Sequence, residues 1–138
     1  MTSPNESVQS PWVRFLAHLF VILVAWTIFI KYLFPIGFAM ASNEAWATYI
    51  YWDLWPVAHL WLAWALLARP WYTRLLAMGM SVVEILIITT LFIWFLAEPE
   101  WSIWRANWFV NKVFVLAAFV LVLGTALLRP ETLKARIR

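Results

Sequence analysis

Between Arg74 and Glu98 the chain runs for twenty-three residues with a single charged side chain, Glu84. A run of about 20 apolar residues rising ~1.5 Å each is what crosses ~30 Å of hydrocarbon. Three further runs have the same character, so the expected spans are residues 12–34, 45–68, 72–97 and 107–128. Inside a bilayer an unpaired backbone N–H or C=O costs several kcal/mol, which leaves helices and closed barrels as the only spanning structures. Barrel strands alternate apolar and polar residues, and these runs do not. The sequence predicts an all-α integral membrane protein, a single four-transmembrane-helix antiparallel bundle.

Composition closes the other routes. The chain is 65% hydrophobic and 12% charged, against about 45–50% and 25% in soluble domains. A water-soluble globule of this size leaves too much of its surface exposed to hide that apolar content. The formal charge of +3 raises the question of nucleic acid, but the basic residues flank apolar runs rather than track a stripe, so no nucleic-acid partner is expected. There is no cysteine, which removes disulfides, thiol redox chemistry and thiolate metal sites. The opening MTSPNESVQSPW is polar, contains Glu6 and is followed by no small-residue cleavage pattern, so the first run is expected to stay as a helix.

Proline marks the expected boundaries, with Pro11 opening the first helix, Pro35 closing it, and Pro70, Pro99 and Pro130 in connections. Pro56 admits two readings. A second helix starting at Leu54 has only about fifteen residues, too few to cross unaided. The longer reading, starting near Ala45, puts Pro56 at an interior kink and Asp53 within the span, and it is preferred. Four crossings leave both termini on one side with Arg14, Arg69, Arg74, Arg129, Lys134, Arg136 and Arg138. Lys31, Arg105 and Lys112 fall on the other. Seven against three predicts cytoplasmic termini in the plasma (cell inner) membrane. Trp12, Trp71, Trp101, Trp104 and Trp108 fall at helix ends, where an indole can bury its ring and keep its N–H wet.

Glu84 is the residue with most to explain. It stands near the bilayer midplane, where translocon scales place an acidic side chain at roughly +2.5–3.5 kcal/mol. It reads either as a proton relay or ligand contact, or as a protonated carboxyl satisfied by Ser81 or a nearby carbonyl. His59 stands almost as far before the turn at Trp71 as Glu84 stands after it, so the two share a depth and can share a proton if they face each other. A histidine bonded to a backbone carbonyl is the alternative. Lys31 and Asp53 are matched in the same way about Ser42, which predicts a structural ion pair or two side chains snorkelling to the interface.

Cofactor chemistry has thin support. His18 lies near one end of the first span and His59 deeper in the second, a poor arrangement for a shared haem. No cluster of His and carboxylates recurs at helical spacing, so no metal site is expected. Val57-Ala58-His59-Leu60 ahead of Arg69-Pro70-Trp71 resembles the membrane helix of light-harvesting β polypeptides, whose histidine ligates bacteriochlorophyll. The likeness is confined to residues 57–71, its His-to-Arg gap is longer, and those proteins cross once. Three functions follow. The first is a non-catalytic accessory subunit of a larger respiratory or photosynthetic membrane complex, with other membrane subunits as partners besides lipid. The second is a small proton-coupled transporter or channel using an intramembrane carboxylate. The third is an anchor for a pigment, haem or quinone.

Overall fold

The computed structural model describes residues 10–135; Glu6, Arg136 and Arg138, used above, lie outside them. Among the described residues the regular elements are all helical: α1 (Pro11–Ala41), α2 (Trp55–Ala68), α3 (Thr73–Ala97) and α4 (Ile103–Leu128), followed by a short 3-10 turn, Pro130–Leu133. Helices α1, α3 and α4 are each long and apolar enough to cross a membrane, and α2 is a shorter apolar helix.

Three expected boundaries are corrected. Helix α1 does not stop at Pro35 but continues to Ala41. Proline at 35 removes a donor and crowds the carbonyl four residues back, on Lys31. The chain absorbs this by widening one turn over Phe29–Leu33 into π geometry, with the Phe34 N–H donating to the Phe29 carbonyl, a common way of carrying an insertion or proline. The second helix begins at Trp55, not near Ala45; residues 45–54 are turns and irregular chain. Asp53 decides the start. Its Oδ1 accepts from the Trp55 N–H at 3.1 Å, and Pro56 then occupies the first turn, where its missing donor costs nothing. The last helix also starts earlier than residue 107, because the Ser102 hydroxyl accepts from the Arg105 N–H at 3.2 Å and caps it.

Helix α1 packs along α2, α3 packs along α4, and a seam between α1 and α4 joins the two pairs. Between α2 and α3, consecutive in sequence, contact is sparse. The buried face of α3 is a stripe at helical spacing, Thr73, Ala77, Ser81, Glu84, Ile88 and Phe95. Small residues occupy its first half, allowing close approach where lipid supplies no hydrophobic drive and dispersion contacts hold helices together. At the centre Phe20 and Phe119 meet edge to face at 4.9 Å, surrounded by Leu16, Leu62, Leu66, Val115 and Val122.

Polar ties fix the register. Trp12 Nε1 donates to Thr125 Oγ1 at 2.8 Å, and Arg74 Nε donates to the Ala126 carbonyl at 3.0 Å. The start of α1, the start of α3 and the end of α4 therefore share one end of the bundle. Midway, the Asn111 amide donates to Thr27 Oγ1 at 3.2 Å, with both residues buried. The α2–α3 connection is tight: Arg69 adopts the left-handed region at φ 50° and ends α2, and the Thr73 hydroxyl bonds the Pro70 carbonyl at 2.8 Å.

Candidate functional site

His59 Nε2 lies 2.6 Å from Glu84 Oε1, with side chains only 5% and 4% exposed. This is a single proton-sharing hydrogen bond across the sparse α2–α3 contact. His59 is boxed by rings, with centroids of Phe119 at 5.1 Å, Trp55 at 6.2 Å and Phe20 at 6.4 Å. Such walls offer the imidazole no competing acceptor, so the carboxylate sets its orientation. Ser81, the alternative partner for Glu84 considered from sequence, is buried with no hydrogen bond to its hydroxyl. His18 is elsewhere: it is exposed, with its ring nitrogen 2.7 Å from the Arg14 carbonyl on its own helix.

Lys31 Nζ donates to Asp53 Oδ2 at 2.5 Å, with side chains 21% and 14% exposed. The wide turn of α1 carries the lysine, and the irregular segment before α2 carries the aspartate. That carboxylate does two jobs, holding the ammonium with one oxygen and capping α2 with the other. The Tyr32 hydroxyl donates to the Asp53 carbonyl at 3.3 Å.

Both pairs border a cavity of about 460 Å³ in the half of the bundle away from the Trp12–Thr125 end. Glu84 reaches its wall, whereas His59 stands behind the carboxylate and does not line it. Ile30, Pro35, Ile87, Ile88 and Leu91 make its aliphatic surface, and Tyr49, Tyr51, Trp55, Trp104 and Trp108 its aromatic one. Tyr49, in the irregular 45–54 segment, has its phenol held above the ordinary range by a hydrogen bond to Glu44. A cavity of this size with a few convergent polar groups suits a small molecule.

Sequence reasoning counted Lys112 only as a positive charge on the side opposite the termini. The structure instead buries it at 8% exposure in the wall of the same cavity. One signal was available: about the turn near Glu100, Lys112 falls about one helical turn from the level of Glu84. Asn111 and Thr27 were also missed, because neither is charged and each needs the other to be noticed. Among the described residues no three His, Asp or Glu side chains gather closely enough to hold a metal ion. Comparison with protein-family models, with curated proteins and with solved structures finds no match, so the reading of this site rests on its own geometry.

Proposed function

We propose that this chain crosses a cell inner membrane four times with both termini in the cytoplasm, and that it is a small proton-coupled transporter. The observation that carries the reading is the placement of Glu84. An intramembrane carboxylate is costly, and is by default a working residue. Here one oxygen shares a proton with a histidine sealed behind it, while the residue lines a cavity large enough for a solute. A proton can thus be stored at the wall without leaving a bare charge in a dry bundle. Helix α2 rises only about 21 Å over its fourteen residues; the largely exposed irregular segment before it, with Trp46, Tyr49, Tyr51 and Trp52, suits the interfacial layer, where aromatic rings gather and water can satisfy the backbone.

The test is proton flux. Proteoliposomes holding the lone protein and a trapped pH indicator are expected to collapse an imposed pH gradient faster than empty vesicles. Glu84→Gln, which keeps shape and removes the titrating group, is expected to lower that rate by at least about tenfold, the scale of a positioned acid–base group. A wild-type rate equal to empty vesicles overturns the reading.

A second reading, the non-catalytic accessory subunit of a larger membrane complex, has one observation in its favour. Where α2 and α3 diverge, Trp61, Tyr72, Leu75, Gly79, Met80 and Val83 line an apolar groove of about 580 Å³. A neighbouring apolar helix fits such a groove. Constant co-elution with the same larger proteins in mild detergent supports this reading, and a lone species with flux opposes it.

A further inference from the structure

The cavity contains four charged side chains on its wall, and three of them are already answered. Lys31 is paired with Asp53, and Glu84 is bonded to His59. Lys112 is the fourth. It is more than nine-tenths buried, lines the cavity, and makes no hydrogen bond or ion pair among the described residues. Its neighbour Asn111 is bonded to Thr27 and so is not available to it. A buried ammonium with no partner is expensive, and proteins keep one where something else supplies the counter-charge.

We propose that Lys112 anchors the carboxylate of a small organic acid whose body lies against the aromatic wall of this cavity. This deepens the transporter reading and rests on it, because it names the class of solute that the proton accompanies. Charge decides the class. Lys112 is the one cation of this wall with no hydrogen-bonded acid, so it has a donor to offer a single carboxylate, whereas a phosphate is held best by several donors or a guanidinium fork, which this wall lacks. The walls decide the rest of the molecule. Tyr49, Tyr51, Trp104 and Trp108, with Ile87 and Leu91, offer flat rings and aliphatic surface to the body of the molecule, with the tyrosine hydroxyls and indole N–H groups at their edges. A one- or two-ring carboxylate fills that space, with its charged end at Lys112 and its body toward the Tyr49 side. Glu84 faces the same cavity and opposes the anion; Asp53 does so less, because Lys31 is held on it.

The experiment is calorimetric titration of the protein in lipid nanodiscs, with empty nanodiscs as the blank. The probes are 2-naphthoate, its uncharged analogue 2-naphthamide, and inorganic phosphate. Saturable one-site binding of the naphthoate is expected, with the amide weaker by at least about tenfold because it cannot supply the counter-charge. Lys112→Met is expected to lose at least about tenfold in affinity and Lys112→Arg to stay within a few-fold. Glu84→Gln is expected to bind naphthoate more tightly while losing proton flux, so the two readings fail separately. Naphthoate that only partitions without saturating, an amide that binds as well as the acid, binding of phosphate alone, or a Lys112→Met protein that binds normally each overturns the proposal. The acid–amide contrast is read on the wild-type protein and stands whether or not a variant assembles.

Discussion

The bundle holds two acid–base pairs in successive hairpins of the chain, and they are built on opposite principles. His59 and Glu84 are rigid: each sits within a regular helix, each is almost fully enclosed, and the imidazole is packed among three aromatic rings. Lys31 and Asp53 are adaptable: one rides on a widened helical turn, the other on irregular chain, and both retain some exposure. The first pair is satisfied internally, with His59 closed off and Glu84 alone reaching the cavity. The second can lose its partner and still find the interface, since a lysine stem reaches several ångströms toward polar surroundings. Burial, more than bond length, separates a pair that can work from a pair that mainly holds structure.

That contrast can be broken experimentally, most forcefully at the buried pair. His59→Ala strands a carboxyl in an apolar setting and is expected to destabilise the folded bundle by about 3–5 kcal/mol. Reversible unfolding in mixed micelles measures it. Combined with Glu84→Gln, the losses are expected to be strongly non-additive, with a coupling of roughly 0.5–3 kcal/mol; additive losses would show that the two side chains do not act as a unit. At the outer pair, Asp53→Asn is expected to cost about 1–2 kcal/mol, because it weakens a partly solvated ion pair while the amide oxygen can still cap α2. A cost as large as that of His59→Ala would erase the distinction drawn here. The smallest effect is expected at the neutral pair between α1 and α4. Asn111→Ala removes its bond to Thr27 and is expected to cost about 0.6 kcal/mol, the average for such bonds in a membrane bundle.

Much of this was legible in the sequence, because lipid makes the rules strict. Four apolar runs had to become helices, and depth across a short turn could be counted residue by residue, which placed His59 level with Glu84 and Lys31 level with Asp53. Facing could not be counted. It depends on how each helix is rotated about its axis, and that is set by packing such as Phe20 against Phe119. The irregular 45–54 stretch was misread because AWATYIYWD is apolar enough to pass for helix. Hydropathy does not distinguish a tryptophan in a span from one in a loop lining a cavity. Pro35 was misread for the opposite reason: a rule about proline held locally, and the helix found room for it. Lys112 was overlooked because a lysine near the end of an apolar run is normally a topology marker.

The widened turn at Phe29–Leu33 has one more consequence, concerning chain length rather than composition. A π turn accommodates one residue more than the helix around it needs. Deleting a single residue there would let the turn close to regular winding while the helix beyond keeps its facing. A deletion in the regular stretch Pro11–Ile28 would instead swing everything beyond it by about 100° and turn Lys31 away from Asp53, although every side chain involved was still present. Along α1 the place of a deletion therefore decides which charges meet, and the widened turn is where losing one residue is expected to do least harm.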